Sequence, residues 1–232
     1  MNLPTKFSQV DLAFMTPEVL DFADRYSRTV TLPGNSIVYF QDDPTDQVFF
    51  VLRGYVRLSY ITEDGLVTLH SIVPPGRSFG EAGAFEGFGY CDTASTVGET
   101  ELIALGTSWR HDTGAAAQAL RYELAKLIAR RHRDQVEFTR ALYRPNLTLR
   151  LSHSLLRLLD LLGNEIRYKG RLVQCLGPVV TQRDLGSMAR GTRENVNKAL
   201  RRWAREEIIT LEDRHIIILD RDRLEKVALA AG

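Results

Sequence analysis

The sequence is poor in the residues that usually anchor sensing or catalytic chemistry. Only two cysteines, Cys91 and Cys175, are present, and alone they build neither a disulfide framework nor a metal cluster. An iron–sulfur sensor needs about four thiolates, so no iron–sulfur cluster is expected. No Cys-x-x-Cys or His-x-His pair occurs, which removes the spacing of a zinc site. The five histidines, His70, His111, His132, His153 and His215, are scattered; each reads as structural or surface, and haem is not expected. No apolar run is long enough to span a bilayer. The opening MNLPTKFSQVDLAF lacks the basic stretch and apolar run of a secretory signal. A cytoplasmic protein without membrane contact is the simplest account. No nucleophile elbow or phosphate loop is found, since Gly80-Glu81-Ala82-Gly83 falls in a β context, and no enzymatic activity is expected. There is no regular βαβ alternation, which argues against a Rossmann-like sheet.

What is present is a division of charge. The net charge is only +1, but residues 1–112 hold 7 basic and 15 acidic side chains, residues 113–140 hold 6 and 3, and residues 141–232 hold 17 and 11. A basic C-terminal third on an acidic body suits a polyanionic partner. With 44% hydrophobic residues, the chain can bury one large core or two modest ones.

Residues 1–112 read as all-β after helical turns around Pro17 to Tyr26. TVTLPGNSIVYF, QVFFVLRGYVRLSYI, LVTLHSIV and ELIALG are rich in Val, Ile, Tyr and Phe. Turns fall at Pro33-Gly34, Asp42-Asp43-Pro44, Arg53-Gly54, Asp64-Gly65 and Pro75-Gly76, the rhythm of a β sandwich or roll. The stretches Tyr55 to Tyr60 and Leu66 to His70 flank Asp64-Gly65 as a hairpin.

From Gly114 the period changes to that of a helix. Ala117, Leu120, Leu124, Leu127, Phe138 and Leu142 share roughly one stripe, with no proline before Pro145. About seven turns, roughly 40 Å, is long for a small domain. The natural partner is a second copy in a parallel coiled coil, the alternative being that the helix lies on its own β domain. Residues 113–143 are therefore expected to dimerise the chain. Residues 144–232 then give an apolar helix from Leu147 to Leu162, a short strand from Val173 to Leu176, two short helices, and a hairpin of Ile208 to Thr210 with His215 to Leu219.

The two short helices carry the most specific signal. Thr181 caps the first, with Asp184 in the reciprocal position. Arg190-Gly191 makes a tight turn, and Thr192 caps the second. This is the pattern of a helix-turn-helix, whose second helix enters the major groove of DNA. Leu185, Met188, Val196, Leu200 and Trp203 form the expected core between the helices, leaving Arg193, Glu194, Asn197, Lys198, Arg201 and Arg202 polar. Arginine suits guanine O6/N7 and glutamate can accept from cytosine N4, which assigns base contacts to Arg193 and Glu194. Thr192, Lys198 and Arg201 suit phosphates, and Thr181, Gln182 and Asn197 complete the expected DNA-binding set.

Taken together, the chain resembles the cyclic-AMP receptor and FNR family of bacterial transcription regulators. That family's recognition helix typically opens with Ser or Thr, then Arg-Glu, then a basic residue four places after the Glu, as Thr192, Arg193, Glu194 and Lys198 do. The basic position is usually Arg, and the family commonly places its turn glycine one residue earlier. The resemblance implies an α+β chain: a cyclic-nucleotide-binding-like β roll (jelly roll) as sensor in residues 1–112, a dimerisation helix in 113–143, and a winged helix-turn-helix in 144–232. It implies double-stranded DNA, a homodimer and RNA polymerase as partners.

The resemblance also places an effector pocket in the β roll against the long helix. Nucleotide-binding members carry Gly-Glu, matched by Gly80 and Glu81, and then an Arg-Ser/Thr-Ala segment whose Arg grips the cyclic phosphate. Here that position falls on Cys91, followed by Asp92 and Thr93. Gln135 and Val136 stand where the family's adenine-contacting hydroxyl residues align. A buried phosphate needs charge-assisted donors; Cys91 offers a weak one and Asp92 repels. Cyclic AMP is therefore not the expected effector, and an unidentified small molecule or constitutive DNA binding takes its place. Arg130, Arg131 or Arg133 could serve another anionic effector, or form only a solvated face. Cys91 reads as a buried, inert cysteine, with a redox switch as the alternative, and Glu81 serves either the effector or only a cap or salt bridge within the roll.

Overall fold

A computed structural model of the chain describes residues 6–65, 67–82, 85 and 88–229. The chain folds as two compact units that divide between Asp134 and Gln135.

The first unit begins with a 3-10 turn at Lys6–Gln9 and helix α1 at Pro17–Arg25. Pro17 at the first turn gives up no helical hydrogen bond, and α1 buries Val19, Leu20, Phe22 and Ala23. Six strands follow: β1 Ser27–Leu32, β2 Ile37–Tyr39, β3 Gln47–Ile61, β4 Val67–Val73, β5 Ser78–Phe79 and β6 Thr93–Gly106. All pair antiparallel, in the order β1-β6-β3-β4, with β2 on β6 and β5 on β3. The β3–β4 hairpin forms around Asp64-Gly65, with Ile61 opposite Val67; Leu66 of the expected second arm lies outside the described residues. Strand β6 runs longer than the apolar ELIALG, because Thr93 to Gly98 pairs through its backbone with β3 while carrying mostly small or polar side chains. Two layers of side chains fill the unit. One, including Tyr39, Phe49, Val51, Leu58, Phe79 and Tyr90, lies within the roll.

The other layer changes the reading of the long helix. Helix α2 spans Ala115–Leu142, yet Ala117, Leu120, Leu124 and Leu127 are not available to a partner. They are buried against Phe7, Leu12, Phe22, Phe50, Ile103 and Trp109 of their own chain. The stripe from Ala117 to Leu127 is thus the helix's seat on its β domain, the alternative of the two expectations. The face left exposed includes Gln118, Tyr122, Ala125, Ala129, His132 and Val136, which repeats at alternating four- and three-residue steps. That is heptad spacing, made of small and polar residues with Tyr122 and Val136 as its large exposed hydrophobics.

The second unit contains helix α3 at Leu147–Leu162, capped by Asn146, whose side chain accepts from the Leu149 amide at 3.0 Å. Strands β7 Asn164–Tyr168 and β8 Arg171–Leu176 form a hairpin, of which the sequence reading recovered only the apolar arm. Helices α4 Gln182–Ala189 and α5 Arg193–Arg205 follow, then β9 Ile209–Glu212, β10 His215–Ile218 and helix α6 Arg221–Leu229. The wing is larger than expected, a four-stranded sheet in the order β7-β8-β10-β9. Arg221 fastens α6 in place, donating to Asp160 of α3 at 2.7 Å, Gln174 of β8 at 2.5 Å and Glu225 at 2.8 Å.

Candidate functional site

The helix-turn-helix is built from its caps inward. The Thr181 hydroxyl accepts from the Asp184 amide at 3.1 Å and donates to the Asp184 carboxylate at 2.8 Å, while the Thr181 amide donates to that carboxylate, also at 2.8 Å. This reciprocal cap satisfies two helix donors and commits the Thr181 side chain to the fold. Thr192 accepts from the Asn195 amide at 3.2 Å, which leaves its O–H to donate outward. Leu185, Met188, Val196, Leu200 and Trp203 are all at or below 1% exposure, so α4 and α5 lock face to face.

The turn between them departs from the usual glycine-first arrangement, and the geometry shows why it is tolerated. Arg190 takes the left-handed conformation, φ 50° and ψ 52°, at a cost of about 1 kcal/mol for an L residue. Gly191 is constrained by space rather than by a left-handed backbone. A Cβ there would stand 2.5 Å from Leu147 Cδ1, so the start of α3 packs directly on the turn.

The outer face of α5 presents Arg193, Glu194, Lys198, Arg201 and Arg202, all exposed, with Asn197 half-buried. Glu194 and Lys198 pair at 2.8 Å across one helical turn, and the lysine holds the Glu194 carboxyl below its usual range, first through that hydrogen bond. Gln182, at the start of α4, is half-buried.

In the β roll, Glu81 is 1% exposed and needs a partner. It receives one from α2: Arg131 Nη2 donates to Glu81 Oε1 at 3.0 Å and also to the Ser78 carbonyl. Gly80 has φ +76°, and a Cβ there would lie 3.1 Å from the Tyr90 ring, so a larger residue would press on the aromatic core. Tyr39 and Tyr90 stack at 3.6 Å. The Tyr90 phenol is pushed up to about 12, mainly by burial, and donates to the Gln47 carbonyl at 2.9 Å.

Asp92 is not a stray charge. Tyr39 donates to its Oδ1 at 2.9 Å, and His70 Nε2 lies 3.1 Å from its Oδ2. Burial first, and Asp92 second, hold the Tyr39 phenol well above its ordinary range, with Glu81 acting in the same direction. Thr93 is buried and accepts from the Gln41 amide at 3.0 Å, whereas Cys91, expected to be buried, is exposed. Gln135 and Val136 are exposed on α2 and belong to the second unit. Tyr39 and His70 were not assigned to this cluster by sequence reading, which named Glu81 and Arg131 but not their pairing with each other. Among the described residues, no group of three or more His, Cys, Asp or Glu side chains is placed to hold a metal ion, and no helix is long and apolar enough to cross a membrane.

Comparison with known proteins agrees with this architecture. Residues 29–108 match the cyclic nucleotide-binding domain and residues 149–227 match the Crp-like helix-turn-helix domain. The chain is 27% identical over 219 residues to the cyclic AMP receptor protein of Thermus thermophilus, covering 92% of this chain and 94% of that one. It is 24% identical over 212 residues to the CRP-like cAMP-activated global transcriptional regulator of Mycobacterium tuberculosis, covering 91% and 93%. Its fold is similar to that of FixK2 from Bradyrhizobium japonicum, with a TM-score of 0.75 at 21% identity over 89% of this chain and 99% of that one. A nucleotide-domain β roll and a winged helix-turn-helix in one chain define a DNA-binding transcription regulator. The chain belongs to the cyclic-AMP receptor and FNR family of bacterial transcription regulators.

Proposed function

We propose that this regulator reads a palindromic operator as a homodimer, through the helix that begins at Thr192. Residues 1–112 serve as the sensor, 113–143 as the dimerisation element and 144–232 as the DNA-binding domain. Arg193 carries the reading: it is the first residue of α5, exposed, and in no ion pair among the described residues. Glu194 and Asn197 stand beside it for base edges, while Gln182, Thr192, Lys198 and Arg201 serve phosphates; Thr181 acts through the cap. Two such helices call for half-sites about one helical turn apart, roughly 34 Å. Replacing Arg193 with Ala is expected to cost roughly 1–3 kcal/mol on the selected operator and to flatten discrimination at one base pair. Replacing Arg201 is expected to weaken all sequences alike and to lower the salt slope by about one. Mobility shifts over a salt series check both, and equal behaviour of the two variants on operator and scrambled DNA would refute the assignment.

Dimerisation is assigned to the exposed heptad face of α2 rather than to the buried leucines. Ala125 and Ala129 allow close approach of a second helix, and Tyr122, which is 67% exposed, gains cover there. Sedimentation at micromolar concentration is expected to give twice the 26.2 kDa chain mass. Ala129→Glu is expected to shift the protein to monomer without unfolding it; a dimer that survives this charge rules out the proposed seam.

RNA polymerase is the implied transcriptional partner. The names of two relatives carry cyclic AMP, but the chemistry around Asp92 argues against that nucleotide as the effector here. Gly80, Glu81, Cys91, Asp92, Thr93, Gln135 and Val136 remain the candidate positions for a different small molecule. The internal pairing of Glu81 with Arg131, and of Asp92 with Tyr39 and His70, favours a second reading in which DNA binding is constitutive. Retardation of the operator by purified protein without any added ligand separates the two.

A further inference from the structure

Arg150 lies on α3, outside the helix-turn-helix, yet two of its three guanidinium nitrogens donate to the turn. Its Nε donates to the Ala189 carbonyl at 2.8 Å, Nη2 to the Arg190 carbonyl at 3.5 Å, and Nη1 to the Arg144 carbonyl at 3.1 Å. Ala189 closes α4, so its carbonyl is among those a helix C-terminus leaves without an internal partner. A cation at that end also complements the helix dipole.

The placement has a particular consequence here. The two turn carbonyls bracket Arg190, the residue held in the left-handed conformation where glycine would rest without strain. Next to it, Leu147 fills the space that a side chain at position 191 would need. The turn sets the direction in which α5 leaves, and with it the aim of Arg193. From the other side, Arg144 belongs to the short segment that joins α2 to α3. One planar fork therefore ties that segment to the turn that orients the reading helix, a geometry that lysine's single ammonium does not reproduce.

We propose that Arg150 is a positioning residue for DNA recognition: by bridging the Ala189, Arg190 and Arg144 carbonyls it fixes the angle of α5 against α3, and so determines sequence discrimination without touching a base. The proposal rests on the reading of α5 as the recognition helix. It makes a demand that a general structural role does not. Loss of Arg150 must lower discrimination more than it lowers affinity for arbitrary DNA, and relieving the strain at Arg190 must restore it.

The test uses the full-length protein and an operator selected by the wild type from random DNA. Operator and scrambled affinities are measured for Arg150→Ala, Arg150→Lys, Arg193→Ala, Arg190→Gly and the Arg150→Ala/Arg190→Gly double variant, with thermal melts alongside. Arg150→Ala is expected to lower the operator-to-scrambled ratio about tenfold, the equivalent of one good base contact, with a much smaller change on scrambled DNA. Arg150→Lys is expected to fall between it and wild type. The double variant is expected to recover most of the lost ratio relative to Arg190→Gly alone, because glycine holds the turn unaided. If Arg193→Ala loses discrimination while Arg150→Ala keeps it, the positioning role is overturned; where Arg150→Ala does not fold, Arg150→Lys at the wild-type ratio overturns it equally. A double variant no better than Arg150→Ala also overturns it. If Arg193→Ala itself discriminates like the wild type, the recognition-helix reading fails first, and the proposal with it.

Discussion

Replacing Arg131 with Ala is expected to lower the stability of the N-terminal unit by about 3 kcal/mol. The Glu81 carboxylate it would abandon is 1% exposed and cannot regain water in exchange. Breaking one side of a buried ion pair costs about 3–5 kcal/mol, most of it the penalty of the stranded charge. The Arg131 side chain keeps 35% of its surface exposed even though its Nε is enclosed, which holds the figure to the lower end of that range. For a chain of this length each kcal/mol moves the midpoint by about 2–4 °C, so a fall of about 6–12 °C is expected in a thermal melt followed by circular dichroism. Glu81→Gln alone removes the charge but keeps an acceptor, and is expected to cost less. Paired with Arg131→Met it is expected to recover part of the loss, since no buried charge remains. A midpoint within about 2 °C of wild type for Arg131→Ala would mean that solvent screens the pair, and that α2 is held to the roll by its leucines alone.

The sequence made the local part of this architecture legible and left the non-local part dark. Helix α2 announces itself by a 3.6-residue period and the absence of proline before Pro145, and α3 runs over the expected Leu147–Leu162. Helices α4 and α5 were legible from two threonines and an aspartate, because caps are contacts between residues three apart. What failed was the choice of partner. A stripe of leucines says that a face is buried, not against what, and Leu120 and Leu124 chose their own β roll. The exposed heptad of Gln118, Tyr122, Ala125, Ala129 and His132 escaped notice because nothing in it is strongly apolar. Strand β7, NEIRY, has too many polar residues to read as a strand, and its pairing with β8 supplies what its composition does not. The pairings inside the pocket cluster were beyond reach for the same reason, although Glu81, Asp92 and Arg131 were each singled out: Tyr39 lies 53 residues from Asp92, and Arg131 lies 50 from Glu81.

Cyclic AMP is expected to bind this protein at least tenfold, and up to several hundredfold, more weakly than a pocket of the same shape that carries the phosphate-gripping arginine. A buried phosphate that loses one ionic hydrogen bond forfeits about 1.5–3 kcal/mol, and more if it is left without a partner, which converts to that range of affinity. Cys91, which the family resemblance sets at the arginine's position, is exposed, and a thiol is a weak donor. Asp92 makes matters worse, because its carboxylate is fixed rather than mobile: Tyr39 and His70 hold one oxygen each, at 2.9 and 3.1 Å. An incoming phosphate would meet a negative charge that cannot swing aside without stripping the buried Tyr39 hydroxyl of its acceptor. Arg131, a half-buried cation, is already engaged by Glu81 and the Ser78 carbonyl, and diverting it would strand Glu81. The converse variant, Cys91→Arg with Asp92→Ser, is expected to gain about the factor that the wild type lacks. Calorimetry on the purified protein decides the matter. A micromolar or tighter constant for the wild type, together with a gain in operator affinity, would show that Arg131 reaches the phosphate and that the closed network opens on binding. No measurable heat for the wild type and a clear isotherm for the double variant would show that Cys91 and Asp92 are what keeps the nucleotide out.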